Sequence, residues 1–170
     1  MEKIRCIDVS SDEGFQKTYE NFYTLGRYPK EFRRDYFVYM ERGKSVKPSF
    51  EEALLHFQKY GTLEVSFSSK RVHTLDPEQP IGDKNVTDKH FGYKIPAYGT
   101  KARYKKVLDR YERYKRDFLK YMASDVGKAV IRAFDEAFPK SGFTDLKKWT
   151  LCSGWMIRKE NELSPQIHGG

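Results

Sequence analysis

Apolar residues recur along most of this chain at the spacing of amphipathic helices, and the pattern is clearest in residues 100–122. Apolar side chains stand there at steps of three and four, which places them on one side of a helix. They are Tyr104, Val107, Tyr111, Tyr114, Phe118 and Tyr121, widened by Leu108 and Met122. The spacing predicts one long helix with a buried aromatic seam.

Three shorter helices are predicted before residue 62. Ser10 with Glu13 and Ser49 with Glu52 have the spacing of capping boxes, and Pro29 suits a first helical turn. The predicted core faces are Phe15, Tyr19, Phe22 and Tyr23 in the first helix, Phe32, Tyr36, Phe37 and Met40 in the second, and Phe50, Ala53, Leu54 and Phe57 in the third. Glycines at 26, 43 and 61 are placed to end these helices.

Two more helices are predicted after residue 123. Ser124 is expected to cap the first, and Thr144 is expected to cap a short last helix. Their apolar faces are Val126, Val130, Ala133, Phe134 and Ala137 in the first, and Leu146 and Trp149 in the second.

Between these groups of helices the periodicity changes to that of a strand. Leu63, Val65 and Phe67 alternate with polar residues, which is typical of a half-buried strand, and residues 72–75 would return as its partner. A short strand is also expected between Ile4 and Val9. The sequence therefore predicts a mainly α (α+β) fold, a bundle of five to six helices with a small β-hairpin near residues 63–75.

Residues 76–99 show no period and contain several prolines and glycines. So long an irregular stretch is usually functional or mobile. With no internal repeat and no clear linker, residues 1–157 are predicted to form a single globular domain. The polar residues 158–170, which end in two glycines, are predicted to form a flexible C-terminal tail.

The composition directs attention to anionic partners. The net charge is +8 and aromatic residues make up 15% of the chain, with a pI near 9.3. Basic proteins bind nucleic acid, anionic membranes or acidic protein surfaces. No apolar run is long enough to span a bilayer, so no membrane partner is predicted. With two cysteines, Cys6 and Cys152, and no signal-peptide pattern, a cytoplasmic location is expected.

The long predicted helix carries the strongest functional signal. Nine basic residues stand against three acidic ones between Lys101 and Lys120. The predicted phosphate-binding stripe, here called the basic stripe, consists of Arg103, Lys106, Arg110, Arg113, Arg116 and Lys120. Arg33, Arg34, Lys70 and Arg71 would extend this surface if the fold brought them near. In the alternative interpretation the stripe is an ordinary solvated face, with Asp109–Arg113 and Glu112–Arg116 as helical ion pairs.

No motif in the sequence predicts catalysis, a cofactor or a metal site. Gly43-Lys44-Ser45 resembles the end of a phosphate-binding loop, but Val38 stands where the loop requires a glycine. The segment around Cys152 and Ser153 lacks the glycine of a nucleophile elbow. Carboxylates and a histidine are collected in residues 76–90, without diagnostic spacing.

Three functional hypotheses follow from these patterns. The first is a non-enzymatic basic protein that associates with DNA or RNA through phosphate contacts from the basic stripe. The second is a protein-binding adaptor, inhibitor or regulatory complex subunit whose basic face docks on an acidic or nucleic-acid-handling partner. The tyrosine seam would also suit a homo-oligomer. The third is a metal-dependent phosphodiester hydrolase that uses the 76–90 loop.

Overall fold

The computed structural model describes residues 2–46, 49–95 and 101–153, and within them the protein is helical without strands. The α-helices are α1 (Glu2–Cys6), α2 (Glu13–Tyr23), α3 (Lys30–Arg42), α4 (Phe50–Phe57), α5 (Val65–Leu75), α6 (Lys101–Ala123), α7 (Asp125–Ala137) and α8 (residues 145–153). Short 3-10 turns follow α2, α3 and α4, and Asn85–His90 forms a π-helical segment. The mainly helical prediction is confirmed, and α1 and α5 are helices beyond the six predicted.

Polar side chains cap the N-termini of several of these helices. Ser49 accepts a hydrogen bond from the Glu52 amide at 3.2 Å, and Ser124 caps α7 by accepting one from Gly127 at the same distance. At the start of α2 the cap is Asp12, whose carboxylate accepts from the Phe15 amide at 2.8 Å. The capping box predicted at Ser10 was wrong, because the Ser10 hydroxyl donates to Asp8 instead.

The core consists of two clusters of buried side chains. The first joins α2 and α3 to one residue each of α4 and α5, and its members are Val9, Tyr19, Leu25, Phe32, Tyr36, Phe37, Met40, Phe57 and Phe67. The second joins α4 and α5 to α6 and α8, and its members are Phe50, Ala53, Leu54, Leu63, Val65, Val72, Val86, Val107, Tyr111, Tyr114, Phe118, Leu146 and Trp149. Because α4 and α5 supply residues to both clusters, they hold the two halves of the core together.

The predicted β-hairpin at residues 63–75 is wrong, since this stretch contains α5. The strand pattern places Glu64, Ser66 and Ser68 on the solvent side, whereas Glu64 and Ser68 are buried and Ser66 is half-buried. A helix buried on every side shows no amphipathic period, so the local alternation did not reveal it. The strand expected between Ile4 and Val9 is also absent, because α1 occupies its first residues.

The long stretch after α5 is held to the core by the aromatic seam of α6. The hydroxyl of Tyr111 donates to the carbonyl of Pro80 at 2.7 Å, and that of Tyr114 donates to Ile81 at 2.9 Å. The amide of Gly82 donates to the Ser69 hydroxyl at 2.8 Å. Residues 80–82 are therefore an inner layer between α5 and α6. Residues 96–99 of the predicted loop lie outside the described residues.

The apolar face of α7 is covered only in part. Phe134 is 8% exposed, whereas Val126 is 59% exposed and Phe138, just beyond the helix, is 58% exposed. The predicted tail at 158–170 and the last residues of the predicted domain lie outside the described residues. None of the helices within the described ranges combines the length and apolarity required to cross a membrane.

Several buried polar side chains of α5 donate hydrogen bonds to backbone carbonyls or pack on aromatic rings, whereas the Ser68 hydroxyl and the Arg71 Nε have no hydrogen-bond partner among the described residues. Arg71 is 3% exposed; its Nη2 donates to the Tyr39 carbonyl at 2.8 Å, and its guanidinium carbon lies 3.7 Å from the centroid of the Tyr39 ring. His73 is 4% exposed, and its Nδ1 donates to the Gln79 carbonyl at 2.8 Å.

We expect His73 to make the stability of the protein depend on pH. Burial lowers the pKa of His73 from 6.5 to about 4, against the opposing hydrogen bond to Gln79. Because the pKa is lower in the folded state, the stabilisation is complete above about pH 6.5 and is lost as the pH falls through about 4. The loss attributable to His73 is about 3 kcal/mol. Urea unfolding of the wild type and His73→Gln between about pH 7 and pH 4 measures it. Equal pH slopes in the two proteins would contradict this assignment.

Gly43→Ala is expected to destabilise the fold through Arg71. A Cβ at position 43 would lie 2.1 Å from the Arg71 Nη2 and 2.9 Å from Leu75 Cδ1. Arg71 is held by Tyr39 and has no exposed position to move into, so overpacking should cost about 1–3 kcal/mol. Gly26→Ala is the control, because a Cβ there meets nothing within 4 Å. Thermal unfolding should show a lower midpoint for Gly43→Ala alone, and equal midpoints for the two variants would refute the packing argument.

Candidate nucleic-acid interface

The basic stripe lies beside the buried seam of α6. Because the seam faces the core, the neighbouring side of the helix that carries the stripe faces solvent. Val107, Tyr111, Tyr114 and Phe118 are at most 1% exposed, which fixes the rotation of the helix. Arg103, Lys106, Arg113, Arg116 and Lys120 are consequently exposed, and Arg110 is half-buried. At its N-terminal end the helix is tied to α4, since the hydroxyl of Tyr104 donates to Glu51 at 2.6 Å.

The cations of the basic stripe have no carboxylate partners among the described residues. The ion pairs found there involve Arg33, Lys44, His56, Lys59, Lys70 and Lys148. The helical pairs Asp109–Arg113 and Glu112–Arg116, which the alternative interpretation of a solvated face included, are therefore not formed. Charges that are exposed and unpaired remain available to an external anion.

Two contacts connect the stripe to the segment that precedes α6. The hydroxyl of Tyr93 donates to the carboxylate of Asp117, and the guanidinium of Arg110 donates to the carbonyl of Lys94. The Asp117 hydrogen bond raises the pKa of Tyr93, so this tyrosine stays a neutral donor at physiological pH. Asp117 lies between Arg116 and Lys120 in the sequence. Its carboxylate accepts this hydrogen bond from the neutral Tyr93 hydroxyl and forms no ion pair with a stripe cation.

Lys70 and Arg71 do not extend the stripe, because both point into the protein. Lys70 is 8% exposed, with its Nζ 3.8 Å from Asp83 and 4.8 Å from the centroid of the Phe67 ring. Arg71 is the buried cation packed on Tyr39. Burial lowers the pKa of both groups. Their interior positions depend on α5 being a central helix, which the sequence did not indicate.

Arg33 and Arg34 lie on α3. The buried residues of this helix belong to the first core cluster, whereas those of α6 belong to the second. Arg33 forms an ion pair with Glu20 at 2.9 Å, whereas Arg34 is exposed. The structure thus brings the six residues of the basic stripe together on one helix and distributes the other four predicted residues elsewhere.

The remaining candidate chemistry is not assembled into a site. Within the described ranges no three histidine, cysteine or carboxylate side chains are grouped so that they could hold a metal ion. In the 76–90 loop Asp83 pairs with Lys70, and the ring of His90 packs 4.9 Å from that of Trp149. Burial raises the pKa of the Cys152 thiol, which disfavours the nucleophilic thiolate.

A second feature, away from the stripe, was not indicated by the sequence. An apolar cleft of about 440 Å³ lies between α2, the end of α5 and the start of α8, and Lys147 lines it. In the sequence Lys147 is one of two adjacent lysines in a short amphipathic segment. Its burial follows from how α8 docks on α2, a long-range contact that no local pattern predicts.

No protein-family model, no curated protein and no solved structure matches this chain.

Proposed function

We propose that this protein is a non-enzymatic binding protein that associates with nucleic acid through phosphate contacts from α6. The observation that carries the proposal is the row of stripe cations, five of them exposed, that have no carboxylate partner among the described residues. Such a row favours binding to the phosphates of a nucleic-acid backbone, because each neutralised phosphate releases condensed counterions. Contacts of this kind position the protein on the backbone and carry no base preference.

The arginines of the stripe favour phosphate over other anions. Arg103, Arg113 and Arg116 are exposed, and each guanidinium can donate two parallel hydrogen bonds to one phosphate. Aromatic stacking of bases does not enter the proposal, because the seam tyrosines Tyr111 and Tyr114 lie in the core with hydroxyls that donate to backbone carbonyls. The proposed interface is therefore purely electrostatic.

An acidic protein surface is the competing partner for the same stripe. Duplex DNA carries one negative charge per about 1.7 Å of helix axis, a denser array than the carboxylates of an acidic polypeptide, so its neutralisation releases more condensed counterions. Binding to a duplex oligonucleotide is therefore expected to depend more steeply on salt than binding to poly-glutamate of equal total charge.

The proposal predicts that Arg113→Gln with Arg116→Gln weakens oligonucleotide binding. Removing two phosphate contacts should lower affinity on the order of tenfold or more and reduce the salt slope by about two. Fluorescence anisotropy of labelled single- and double-stranded DNA and RNA, at about 50 and 200 mM salt, measures both quantities. Both side chains are exposed, so the fold should be unaffected.

The matched control removes two exposed arginines from other helices, Arg42→Gln with Arg132→Gln. Net charge is the same in the two double variants, so a general effect of charge would weaken both equally. Loss confined to the α6 variant supports the proposal. Equal loss in both, or no wild-type binding at the lower salt, overturns it, and tighter binding of poly-glutamate than of any oligonucleotide would assign the stripe to an acidic protein.

A further inference from the structure

The cleft between α2 and α8 has the form of a small-ligand site. Its volume of about 440 Å³ lies within the usual range of ligand pockets, about 300–1,000 Å³. Apolar side chains dominate the lining, chiefly Ile4, Phe15, Phe22, Phe143 and Leu151. Phe22 is 58% exposed and Phe143 is 45% exposed, so the cleft presents large apolar surface that the described part of the chain leaves uncovered.

One cation, Lys147, lines this cleft, and it makes no ion pair within the described residues. Its Nζ donates to the Tyr23 hydroxyl at 3.1 Å and lies 4.7 Å from the centroid of the Phe22 ring. The next residue, Lys148, is fully paired, with Asp135 at 2.9 Å and Asp145 at 3.0 Å. A desolvated ammonium without a counter-ion is costly, and an anion bound beside it would offset that cost.

Among the residues that the structure describes, the charged group that acts on Lys147 is another cation. Lys70, on α5, also lies over the Tyr23 ring, with its Nζ 5.4 Å from the centroid. Burial, with Lys70 as a second cause, lowers the pKa of Lys147 to about 8. Burial also raises the pKa of Tyr23 to about 12 and lowers that of His73 to about 4, so both are neutral at physiological pH. Lys147 is then still mainly an ammonium ion.

We propose that this cleft binds a small amphipathic monoanion, a hydrophobic carboxylate, with its head group on the Lys147 ammonium. The Tyr23 hydroxyl lies close enough to share the head group, and the apolar part of the ligand packs against Phe15, Phe22 and Phe143. A single ammonium neutralises one negative charge, which favours a monoanion over a phosphate dianion. The apolar lining requires that the rest of the ligand be hydrophobic.

Decanoate is the probe, and decanol is the uncharged ligand of equal chain length. Isothermal titration calorimetry of the full chain, below the micelle concentration of decanoate, should show one site that prefers decanoate over decanol by at least tenfold. Above about pH 8 the affinity for decanoate should fall by about tenfold per pH unit, because binding then requires the uptake of a proton.

Lys147→Met is the test variant and Lys148→Met is its neighbour control. The first should lose the preference for decanoate, with binding at least tenfold weaker, while the second and the Arg113→Gln, Arg116→Gln protein should bind as the wild type does. Lys147→Met should be at least as heat-stable as the wild type at about pH 7, because it removes a desolvated charge. A folding defect is therefore not expected to obscure the result.

Three results would overturn the proposal. The first is wild-type affinity for decanoate in Lys147→Met, and the second is equal affinity of the wild type for decanoate and decanol. The third is absence of decanoate binding to the wild type at concentrations below micelle formation, which would mean that the cleft does not accept such a ligand.

Discussion

The burial of α5 is the constraint on which the rest of the structure depends. This helix carries Ser69, Arg71 and His73 into the interior, where a hydrogen-bond partner from the protein stabilises a polar group that water cannot reach. The partners come from every neighbouring element: the Gly82 amide for Ser69, the Tyr39 carbonyl for Arg71 and the Gln79 carbonyl for His73. The positions of α3 and of residues 79–82 follow from these contacts.

The same constraint explains why the core is rich in tyrosine. A tyrosine ring fills volume as phenylalanine does, and its hydroxyl donates one hydrogen bond at the far end. Tyr36 uses this hydroxyl to satisfy the Phe67 carbonyl of α5 at 3.1 Å. Tyr111 and Tyr114 do the same for Pro80 and Ile81. The tyrosines thereby allow an irregular backbone stretch to lie inside the protein without leaving its carbonyls unsatisfied.

Whether a helix could be predicted from the sequence depends on whether one of its sides faces solvent. Helices with one solvent face, such as α3 and α6, keep their period, and their core residues Phe32, Tyr36, Phe118 and Val107 were predicted individually. The period vanishes in α5, which is buried on all sides, so its polar residues were mistaken for exposed ones. The exposure of most stripe residues could likewise be predicted because it follows from the seam, whereas the burial of Lys70 depends on contacts distant in sequence.

The basic stripe and Lys147 are both cationic, and they differ in their surroundings. The stripe on α6 is surrounded by water and salt, so its attraction for anions is long-ranged and is screened within about 10 Å at 0.1 M ionic strength. Lys147 lies among aromatic rings. Screening by salt is weak there, so the attraction between its ammonium group and one adjacent anion is stronger than at the exposed stripe. Among the described residues, Lys148 lies beside two carboxylates and Lys147 beside none. Because an unpaired, desolvated charge costs stability, the hydrophobic carboxylate proposed for the cleft would offset at Lys147 a cost that Asp135 and Asp145 already offset at Lys148.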